Sequence, residues 1–367
     1  MKKIALLGST GSIGVQVLEA VRRHPNTFKI VALSAYNDGK EFKRQVKEFS
    51  PLVHGAASVD KAAALACAEC EEADIVFNAV SGFAGLEYSL KAIRAGKTLA
   101  LANKETLVSG GELVTRAAAA KGVEIIPVDS EHSAIWQCLG YNCKASFKKL
   151  IITASGGAFR GYTAEQLEKV TPSQALNHPT WKMGKKITVD SATLVNKGYE
   201  VIEAHELYNA PYSKIETVIQ PTSIVHSLVE FADGAVMAQL GTPDMEVPIQ
   251  LALTYPKRMS TSAKPLSFKQ ALSLEFLPLN KKDYPLYDLT VACGKEGGTL
   301  PCALNAADEV AVKAFLDGKI KFTGIYAAVS QVLSTTVRDE IVSFKQLEEV
   351  DRNARWKAHK IIYKLSK

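Results

Sequence analysis

Two acidic residues, Asp129 and Glu131, follow the short apolar run Ile125–Val128. In an extended chain, side chains two residues apart point to the same face, so both carboxylates can reach one cation. Open α/β sheets also bind ligands just past the ends of such strands. Oxygen ligands favour Mg²⁺ or Mn²⁺ over zinc. The pair therefore indicates a divalent-metal site, with a merely solvated loop as the alternative.

A second polar block lies further along the chain. If the chain is helical from Asn196, then Asn196 and Glu200 share a face with Lys197 beside them. Glu200 can complete a site of three carboxylates. Ser191, Asn196 and Lys197 suit a phosphate. Glu203, one turn further on, is an alternative to Glu200 that spacing does not exclude.

Two further polar groups follow predicted strands. Ser155-Gly156-Gly157 can cradle an anion, and a plain turn is the alternative. Asn103, Lys104 and Glu105 end another strand, at the edge where a nicotinamide would lie. A solvated helix start is the alternative for these three.

The polar segment 155–186 is long for an inert connection and contains several Gly and Pro residues. Within it, residues 178–184 include His178, Trp181, Met183 and Gly184. A Trp between Pro and Gly predicts a lid that closes over a substrate, whereas a surface tether is the alternative. We call residues 178–184 the lid segment.

Near the N-terminus, Gly8, Gly11 and Gly14 are spaced as Gly-x-x-Gly-x-x-Gly after the apolar run Ile4–Leu7. The amphipathic stretch Ile13–Arg23 follows. Glycines at such a turn let the backbone approach a pyrophosphate, whose charge lies at the helix N-terminus. This position between strand and helix favours a dinucleotide-binding site over an ordinary tight turn.

The end of the second predicted strand bears on the choice of dinucleotide. NAD enzymes usually place an acid there to hold the ribose 2′-hydroxyl. No acid lies directly at this strand end, and Asn37 and Lys40 can receive a 2′-phosphate, although Asp38 lies close by. The sequence therefore favours NADP.

The elements that position these residues follow from the alternation of apolar runs and amphipathic stretches. Over the first 130 residues this alternation predicts a Rossmann-like, doubly wound parallel sheet. Its strand candidates are Lys3–Leu7, Lys29–Leu33, Ile75–Asn78, Thr98–Ala102 and Glu124–Pro127. We expect an α/β protein with four segments: a nucleotide-binding domain (1–122), an α+β domain with the polar site and lid (123–262), a linker with little regular structure (263–292) and a C-terminal helical domain (293–367).

Composition narrows the class of protein. The chain has 44 Lys and Arg against 38 Asp and Glu, a net charge of +6, with no clustered basic stripe. We therefore expect a small anionic substrate and no nucleic acid as partner. No apolar run is long enough to cross a bilayer or to form a signal peptide, so we expect no membrane association and a cytoplasmic location. The six cysteines, including Cys67-x-x-Cys70, are expected to be ordinary core residues rather than a zinc or redox site.

Together these motifs resemble one family, the 1-deoxy-D-xylulose-5-phosphate reductoisomerases of the non-mevalonate isoprenoid pathway. The matching blocks run through nearly the whole chain in order. They are GSTGSIG (8–14), LANKE (101–105), PVDSEHSA (127–134), SGGAFR (155–160), NHPTWKMGKKITVDSATLVNKGYEVIEA (177–204), QPTSIVHSLV (220–229), AQLGTPDM (238–245) and CALNAADEVAV (302–312).

The resemblance implies rearrangement of 1-deoxy-D-xylulose 5-phosphate, a sugar phosphate, and its reduction with NADPH to 2-C-methyl-D-erythritol 4-phosphate. It also implies a homodimer and a metal ion, Mg²⁺ or Mn²⁺, held by Asp129, Glu131 and Glu200. The implied cofactor contacts are Thr10, Gly11, Ser12, Ile13, Asn103, Glu105 and Gly184, to which the strand-end argument adds Asn37. The implied substrate contacts are Lys104, Ser130, Glu131, Ser155, His178, Trp181, Ser191, Asn196, Lys197 and Glu200.

Lys104 would lie near the metal and add positive charge or relay a proton, and is thus grouped with the three carboxylates as catalytic. Two features depart from the family pattern. The register around Tyr36–Lys40 is altered, and the chain is short at Val53–Cys70.

Two other functions share some of these features. A simple NADP-dependent dehydrogenase of the semialdehyde or homoserine type would need neither the Asp129/Glu131 pair nor the block at 191–200. A nucleotide-sensing regulator would bind NADPH without turnover, and the intact polar residues argue against it.

Overall fold

The computed structural model describes residues 1–367, which form two compact units. The first comprises residues 1–107, 112–133 and 244–264, and the second comprises residues 108–111, 134–243 and 265–367. The strands are β1 (Lys2–Leu7), β2 (Phe28–Ala35), β3 (Val53–Ala56), β4 (Ile75–Asn78), β5 (Thr98–Leu101), β6 (Ile125–Pro127), β7 (Lys149–Ala154), β8 (Ile215–Ile219), β9 (Val225–Glu230), β10 (Val236–Leu240) and β11 (Leu277–Pro278).

Fifteen α-helices and three short 3₁₀ turns complete the chain. The helices are α1 (Ser12–Arg23), α2 (Lys40–Phe49), α3 (Lys61–Ala66), α4 (Gly85–Arg94), α5 (Lys104–Lys121), α6 (Ser130–Cys138), α7 (Ala164–Leu167), α8 (Pro172–Ala175), α9 (Lys185–Thr193), α10 (Val195–Tyr208), α11 (Glu246–Thr254), α12 (Pro285–Glu296), α13 (Leu300–Leu316), α14 (Thr323–Ser334) and α15 (Phe344–Leu365). None of them combines the length and apolar character that crossing a bilayer would require.

The first unit contains a six-stranded sheet in the order β3-β2-β1-β4-β5-β6. Every pair of neighbouring strands is parallel. The apolar run Ile4–Leu7 of the central strand β1 is fully buried, as expected for a strand covered on both faces. The predicted doubly wound parallel sheet is confirmed. Sequence patterning missed β3 because its residues, Val-His-Gly-Ala, carry little apolar signal.

The second unit contains a mixed five-stranded sheet in the order β10-β9-β7-β8-β11. Strands β7 and β8 are parallel, and the other neighbours are antiparallel. Helices α9, α10 and α12 to α15 contribute to a large apolar core that includes Val189, Tyr199 and Phe315. The α+β region and the helical C-terminal region are therefore confirmed.

Regular structure begins earlier than expected in the segment 263–292. The short strand β11 and the start of helix α12 at Pro285 both lie inside the range expected to have little regular structure. Proline is favoured in the first turn of a helix because its missing N–H has no partner to lose there. Leu286 and Tyr287 are buried, so tertiary packing supports this helix despite the polar residues before it.

Candidate active site

The glycine-rich turn connects β1 to α1. Gly8 has φ +81°, and a Cβ there would lie 2.5 Å from the carbonyl oxygen of Ala79. A Cβ on Gly14 would lie 2.2 Å from the carbonyl oxygen of Gly8, so glycine is required for the helix to pack on the turn. Gly11 precedes the helix without a side-chain cap, leaving the first N–H groups of α1 available to an anion.

Two residues outside the turn hold its backbone in place. The carbonyl oxygen of Ser34, in β2, accepts hydrogen bonds from the N–H groups of Gly8 and Ser9, both at 2.9 Å. The buried side chain of Gln45, in α2, donates to the carbonyl oxygen of Ser9 at 3.2 Å. Sequence reasoning missed Gln45, because a single polar residue on the inner face of α2 gives no signal without knowledge of its partner.

The residues that bear on the 2′-phosphate lie between β2 and α2. Asn37 is exposed and lies two residues after the end of β2, and Lys40 is the first residue of α2. The carboxylate of Asp38 lies 3.0 Å from Nζ of Lys43 in an exposed ion pair. Asp38, the acid that speaks against NADP in the sequence, thus forms its ion pair with Lys43 nearby in the chain.

Asn103 caps helix α5 at the end of β5. Its Oδ1 accepts from the N–H of Thr106 at 3.0 Å, and its Nδ2 donates to Glu105 at 2.8 Å and to the carbonyl oxygen of Gly82 at 3.1 Å. Asn103 therefore acts as the N-cap of α5, which is the role that the alternative of a helix start gave to this segment. The same cap fixes the directions in which Glu105 and the following helix leave the sheet.

Four of the predicted site residues meet at the ends of the neighbouring strands β5 and β6. Nζ of Lys104 lies 3.0 Å from Oδ2 of Asp129. Asp129 Oδ1 accepts from the backbone N–H of Ser130 at 2.9 Å, and Ser130 Oγ donates to Glu131 at 2.6 Å. The first unit thus brings together one ammonium, one hydroxyl and two carboxylates.

The expectation of an extended chain from Asp129 to Glu131 is wrong. Helix α6 starts at Ser130, so Glu131 lies in its first turn, and the N–H of Ser133 donates to the carbonyl oxygen of Asp129 at 2.8 Å. An acid in a first helical turn is favoured by the positive end of the helix dipole. The carboxylates of Asp129 and Glu131 are connected through Ser130, which hydrogen-bonds to both, and not by the alternation of side chains along a strand.

Ser155, His178 and Ser191 form a second group, within the second unit. Nε2 of His178 lies 3.1 Å from Oγ of Ser155 and 3.0 Å from Oγ of Ser191. Ser155 follows β7 and also accepts from the N–H of Gly157 at 3.1 Å. One imidazole thereby connects Ser155 and Ser191, which are 36 positions apart, in a polar group of two hydroxyls and a ring nitrogen.

The protonation state of His178 follows from its other nitrogen. Nδ1 accepts backbone N–H bonds from Thr180 at 3.2 Å and Trp181 at 3.0 Å, so it carries no proton. Burial lowers the pKa of His178 from 6.5 to about 4, so the ring is neutral near pH 7. The proton of the neutral ring is therefore on Nε2, which donates towards the serine hydroxyls.

The lid segment makes side-chain contacts with the loop and strand at 223–226. The rings of Trp181 and His226 are 6.1 Å apart at 52°, and Thr180 Oγ1 lies 3.1 Å from Ser223 Oγ. Trp181 is partly exposed rather than part of the core. The lid segment ends at Gly184, which precedes α9.

The predicted helix from Asn196 is confirmed as α10. Asn196 Nδ2 donates to Glu200 Oε1 at 2.6 Å, and the buried Lys197 pairs with the other oxygen of Glu200. Glu203 lies one turn further along the same helix and is also buried. Burial therefore does not decide which glutamate is the better candidate for a metal ligand. Asn196 and Lys197 contact Glu200.

The Ser155 turn is supported by residues that sequence reasoning did not single out. Tyr284 donates from its hydroxyl to the carbonyl oxygen of Gly156 at 3.1 Å. A Cβ on Gly157 (φ +71°) would lie 2.4 Å from the carbonyl oxygen of Ser191, so glycine lets the turn approach α9. In the sequence, only the Gly156-Gly157 pair indicated this turn, because Tyr284 is distant along the chain.

The Cys67-x-x-Cys70 motif begins in the 3₁₀ turn Cys67–Glu69 that follows α3, and Cys70 comes directly after that turn. Both cysteines are buried, and Cys67 Sγ donates to the carbonyl oxygen of Leu33 at 3.2 Å. Burial raises the pKa of the Cys67 thiol to about 12. A neutral buried thiol of this kind is inert, in agreement with a core role.

Family models cover most of the chain. A 1-deoxy-D-xylulose 5-phosphate reductoisomerase model matches residues 4–66 and 52–111, and a C-terminal domain model of the same enzyme matches residues 125–208. A DXP reductoisomerase C-terminal domain model matches residues 240–357.

Relatives and solved structures agree with these matches. The 1-deoxy-D-xylulose 5-phosphate reductoisomerase of Geobacillus kaustophilus is 48% identical over 377 residues, covering 97% of this chain and 98% of the relative. That of Thermodesulfovibrio yellowstonii is 44% identical and covers 97% of each chain.

A crystal structure of DOX-P reductoisomerase in complex with NADPH, fosmidomycin and magnesium has a TM-score of 0.92 and 37% identity, covering 99% of this chain and 98% of that one. The Zymomonas mobilis enzyme in complex with NADPH has a TM-score of 0.90 and 36% identity, covering 98% and 99%. The chain therefore belongs to the 1-deoxy-D-xylulose 5-phosphate reductoisomerase family.

Proposed function

We propose that this chain converts 1-deoxy-D-xylulose 5-phosphate to 2-C-methyl-D-erythritol 4-phosphate, with NADPH as reductant and a divalent metal ion. The observation that carries the proposal is the Ser155–His178–Ser191 group, in which one imidazole nitrogen lies within hydrogen-bond distance of two hydroxyls. A simple dehydrogenase needs a nucleotide turn but no such group at a lid. Membership of the family supports the same reaction.

NADPH would bind at the turn between β1 and α1, with its pyrophosphate at the first N–H groups of α1. The contacts would come from Thr10, Gly11, Ser12, Ile13, Asn37, Asn103, Glu105 and Gly184. Residues 10–12 are exposed, as a ligand-binding turn requires. Asn37 and the adjacent Lys40 would receive the 2′-phosphate. Bound NADPH supplies the hydride.

The metal ion would be held by Asp129, Glu131 and Glu200. All three offer carboxylate oxygens, the donor set that suits Mg²⁺, and we extend the proposal to Mn²⁺. Glu200 is preferred to Glu203 because Asn196 and Lys197 orient it. The bound ion supplies a Lewis acid that stabilises negative charge developing on substrate oxygens.

The substrate phosphate would lie against Ser155, His178, Ser191, Asn196 and Lys197. Hydroxyls, an amide and an ammonium are suitable donors for phosphate oxygens. Nε2–H of His178 would donate to the phosphate or hold a serine hydroxyl towards it. A neutral imidazole does this without changing charge over the physiological pH range.

The remaining residues would act on the carbon skeleton. Ser130 and Lys104 would bind the substrate hydroxyls, and Lys104 would supply positive charge or relay a proton at its Nζ. The lid segment, with Trp181 and Met183, would exclude water from the aldehyde formed before reduction. Phosphate binding far from the reacting carbons would help drive closure.

The four-segment organisation is retained as a proposal about roles. Residues 1–122 would bind the dinucleotide, 123–262 would carry the metal and substrate residues, 263–292 would connect, and 293–367 would form a C-terminal helical domain. The first-unit sheet extends past residue 122 through β6, which directly precedes Asp129.

We also propose a cytoplasmic homodimer that associates with neither membranes nor nucleic acid. Strand β10 forms an edge of the mixed sheet and exposes Val236 and Met237, by 51% and 52%. An exposed apolar edge strand is unusual in a monomer and favours pairing with a second copy. Light scattering after gel filtration tests this, and a monomer mass would refute it.

Product identity separates the proposed function from a simple NADP-dependent reduction. The purified protein is incubated with 1-deoxy-D-xylulose 5-phosphate, NADPH and Mg²⁺, and the product is examined by ¹³C NMR. We expect a branched skeleton. A linear polyol phosphate would instead favour the dehydrogenase alternative, which family membership does not favour.

A further inference from the structure

A cluster of charges that includes two buried aspartates lies directly after the lid segment. Nζ of Lys186 lies 2.6 Å from Oδ2 of Asp190 and 2.9 Å from Oδ2 of Asp308. Lys186 and Asp190 are one turn apart in α9, whereas Asp308 lies in α13. We call Lys186, Asp190 and Asp308 the hinge clamp.

The hinge clamp is costly to bury, which argues that it has a specific role. Asp308 is fully buried, and its Oδ1 has no hydrogen-bond partner. Burial raises the pKa of Asp308, an effect that Lys186 partly offsets. Tyr199 contributes a hydroxyl 3.4 Å from Asp308 and a ring 5.4 Å from the Lys186 ammonium. An apolar cluster of similar size would stabilise the fold as well or better.

The position of the clamp links it to the lid segment. Lys186 is two residues beyond Gly184, the last residue of the lid segment. Thr188 Oγ1 donates to the carbonyl oxygen of Gly184 at 2.8 Å, so a hydrogen bond ties the end of the lid segment to the first turn of α9. The same helix carries Ser191, which contacts His178 of the lid segment through Nε2.

We propose that the hinge clamp is a positioning device that anchors the C-terminal joint of the lid segment on α13, so that His178 and Ser191 are set for the substrate phosphate. This inference rests on the proposed function. Losing the clamp would leave the phosphate contacts themselves in place. It would lower the fraction of molecules in which His178 and Ser191 are aligned to make them, so the cost falls on binding. The consequence is a higher KM with little change in kcat.

The test compares Lys186→Met with Lys186→Arg and Glu309→Gln. Glu309 is the matched control, since it is the neighbour of Asp308 on α13 and forms a partly buried ion pair with Arg355 at 2.6 Å. We expect Lys186→Met to raise the KM for 1-deoxy-D-xylulose 5-phosphate about tenfold, with kcat changed less than about twofold. Lys186→Arg should retain most of the affinity for 1-deoxy-D-xylulose 5-phosphate. Glu309→Gln should have the KM and kcat of the wild type.

A second measurement follows the lid itself. Chymotrypsin cleavage after Trp181, without substrate, should be faster in Lys186→Met than in Glu309→Gln at equal thermal stability. If Lys186→Met does not fold, Asp308→Asn, which preserves side-chain size, takes its place. The same rise in KM and the same faster cleavage are then expected. Unchanged KM and cleavage rate, or equal changes in Glu309→Gln, would overturn the inference. An inactive wild type would instead refute the proposed function alone.

Discussion

Nζ of Lys104 lies 3.0 Å from Oδ2 of Asp129. The contact follows from the topology, since β5 and β6 are parallel neighbours and pair at Leu101 and Pro127. Residues that follow such strands meet at one edge of the sheet. The ammonium holds the carboxylate that we propose as a metal ligand in a defined orientation.

Asp129→Asn tests that assignment. The change keeps the size of the side chain and removes one anionic ligand, so we expect kcat to fall by more than about a hundredfold. The dissociation constant for NADPH, measured by fluorescence titration, should change less than about twofold. Glu124→Gln, an exposed acid directly before β6, is the control and should retain activity. Substantial turnover in Asp129→Asn would refute the metal assignment.

Trp181→Ala tests the lid segment. Because Trp181 is partly exposed and contacts His226 only at ring distance, its loss should leave the melting temperature nearly unchanged. The KM for the substrate should rise about tenfold, as a closing contact is lost. Trp356→Ala, which removes an exposed Trp on α15, provides the comparison. A large drop in melting temperature would show a core role for Trp181 instead.

Asn37→Asp tests the site for the 2′-phosphate. A carboxylate there would repel the phosphate, so the KM for NADPH should rise about tenfold, or about 1.4 kcal/mol, while that for NADH stays unchanged. Lys47→Ala, in the last turn of α2, changes charge away from the strand end and should have no effect. Equal effects on the two cofactors would contradict the assignment.

His178 should make stability depend on pH in one window. Folding lowers its pKa from 6.5 to about 4, so between these values the unfolded chain binds a proton that the folded protein does not. Stability should therefore fall as pH decreases from 6.5 towards 4, and His178 should contribute no pH dependence above that window. Urea unfolding at several pH values measures the effect, and His178→Gln should reduce the slope. Identical slopes would show that His178 titrates normally.

Several features of the fold and site could be predicted because their signals are local. The turn at Gly8 to Gly14 lies between an apolar strand and an amphipathic helix. The strand, the glycines and the helix can each be recognised from residues that are neighbours in the sequence. The helical spacing of Asn196 and Glu200 is likewise local, and the contact between them confirms it.

Other features depend on residues distant in sequence. Gln45 holds the carbonyl of Ser9, and Tyr284 holds that of Gly156, yet neither carries a motif. At Asp129 to Glu131 the preceding apolar strand suggested an extended chain, whereas a helix starts at Ser130. The helix start is favoured because the Asp129 carboxylate accepts a hydrogen bond from the N–H of Ser130, which the first turn of a helix leaves without a backbone partner.

The most direct test of the central claim is the rate of NADPH oxidation with 1-deoxy-D-xylulose 5-phosphate, measured with Mg²⁺ and after thorough chelation. We predict substrate-dependent oxidation with Mg²⁺, loss of that activity on chelation, and recovery when Mg²⁺ is restored. Undiminished oxidation by the chelated protein would contradict a metal-dependent reductoisomerase.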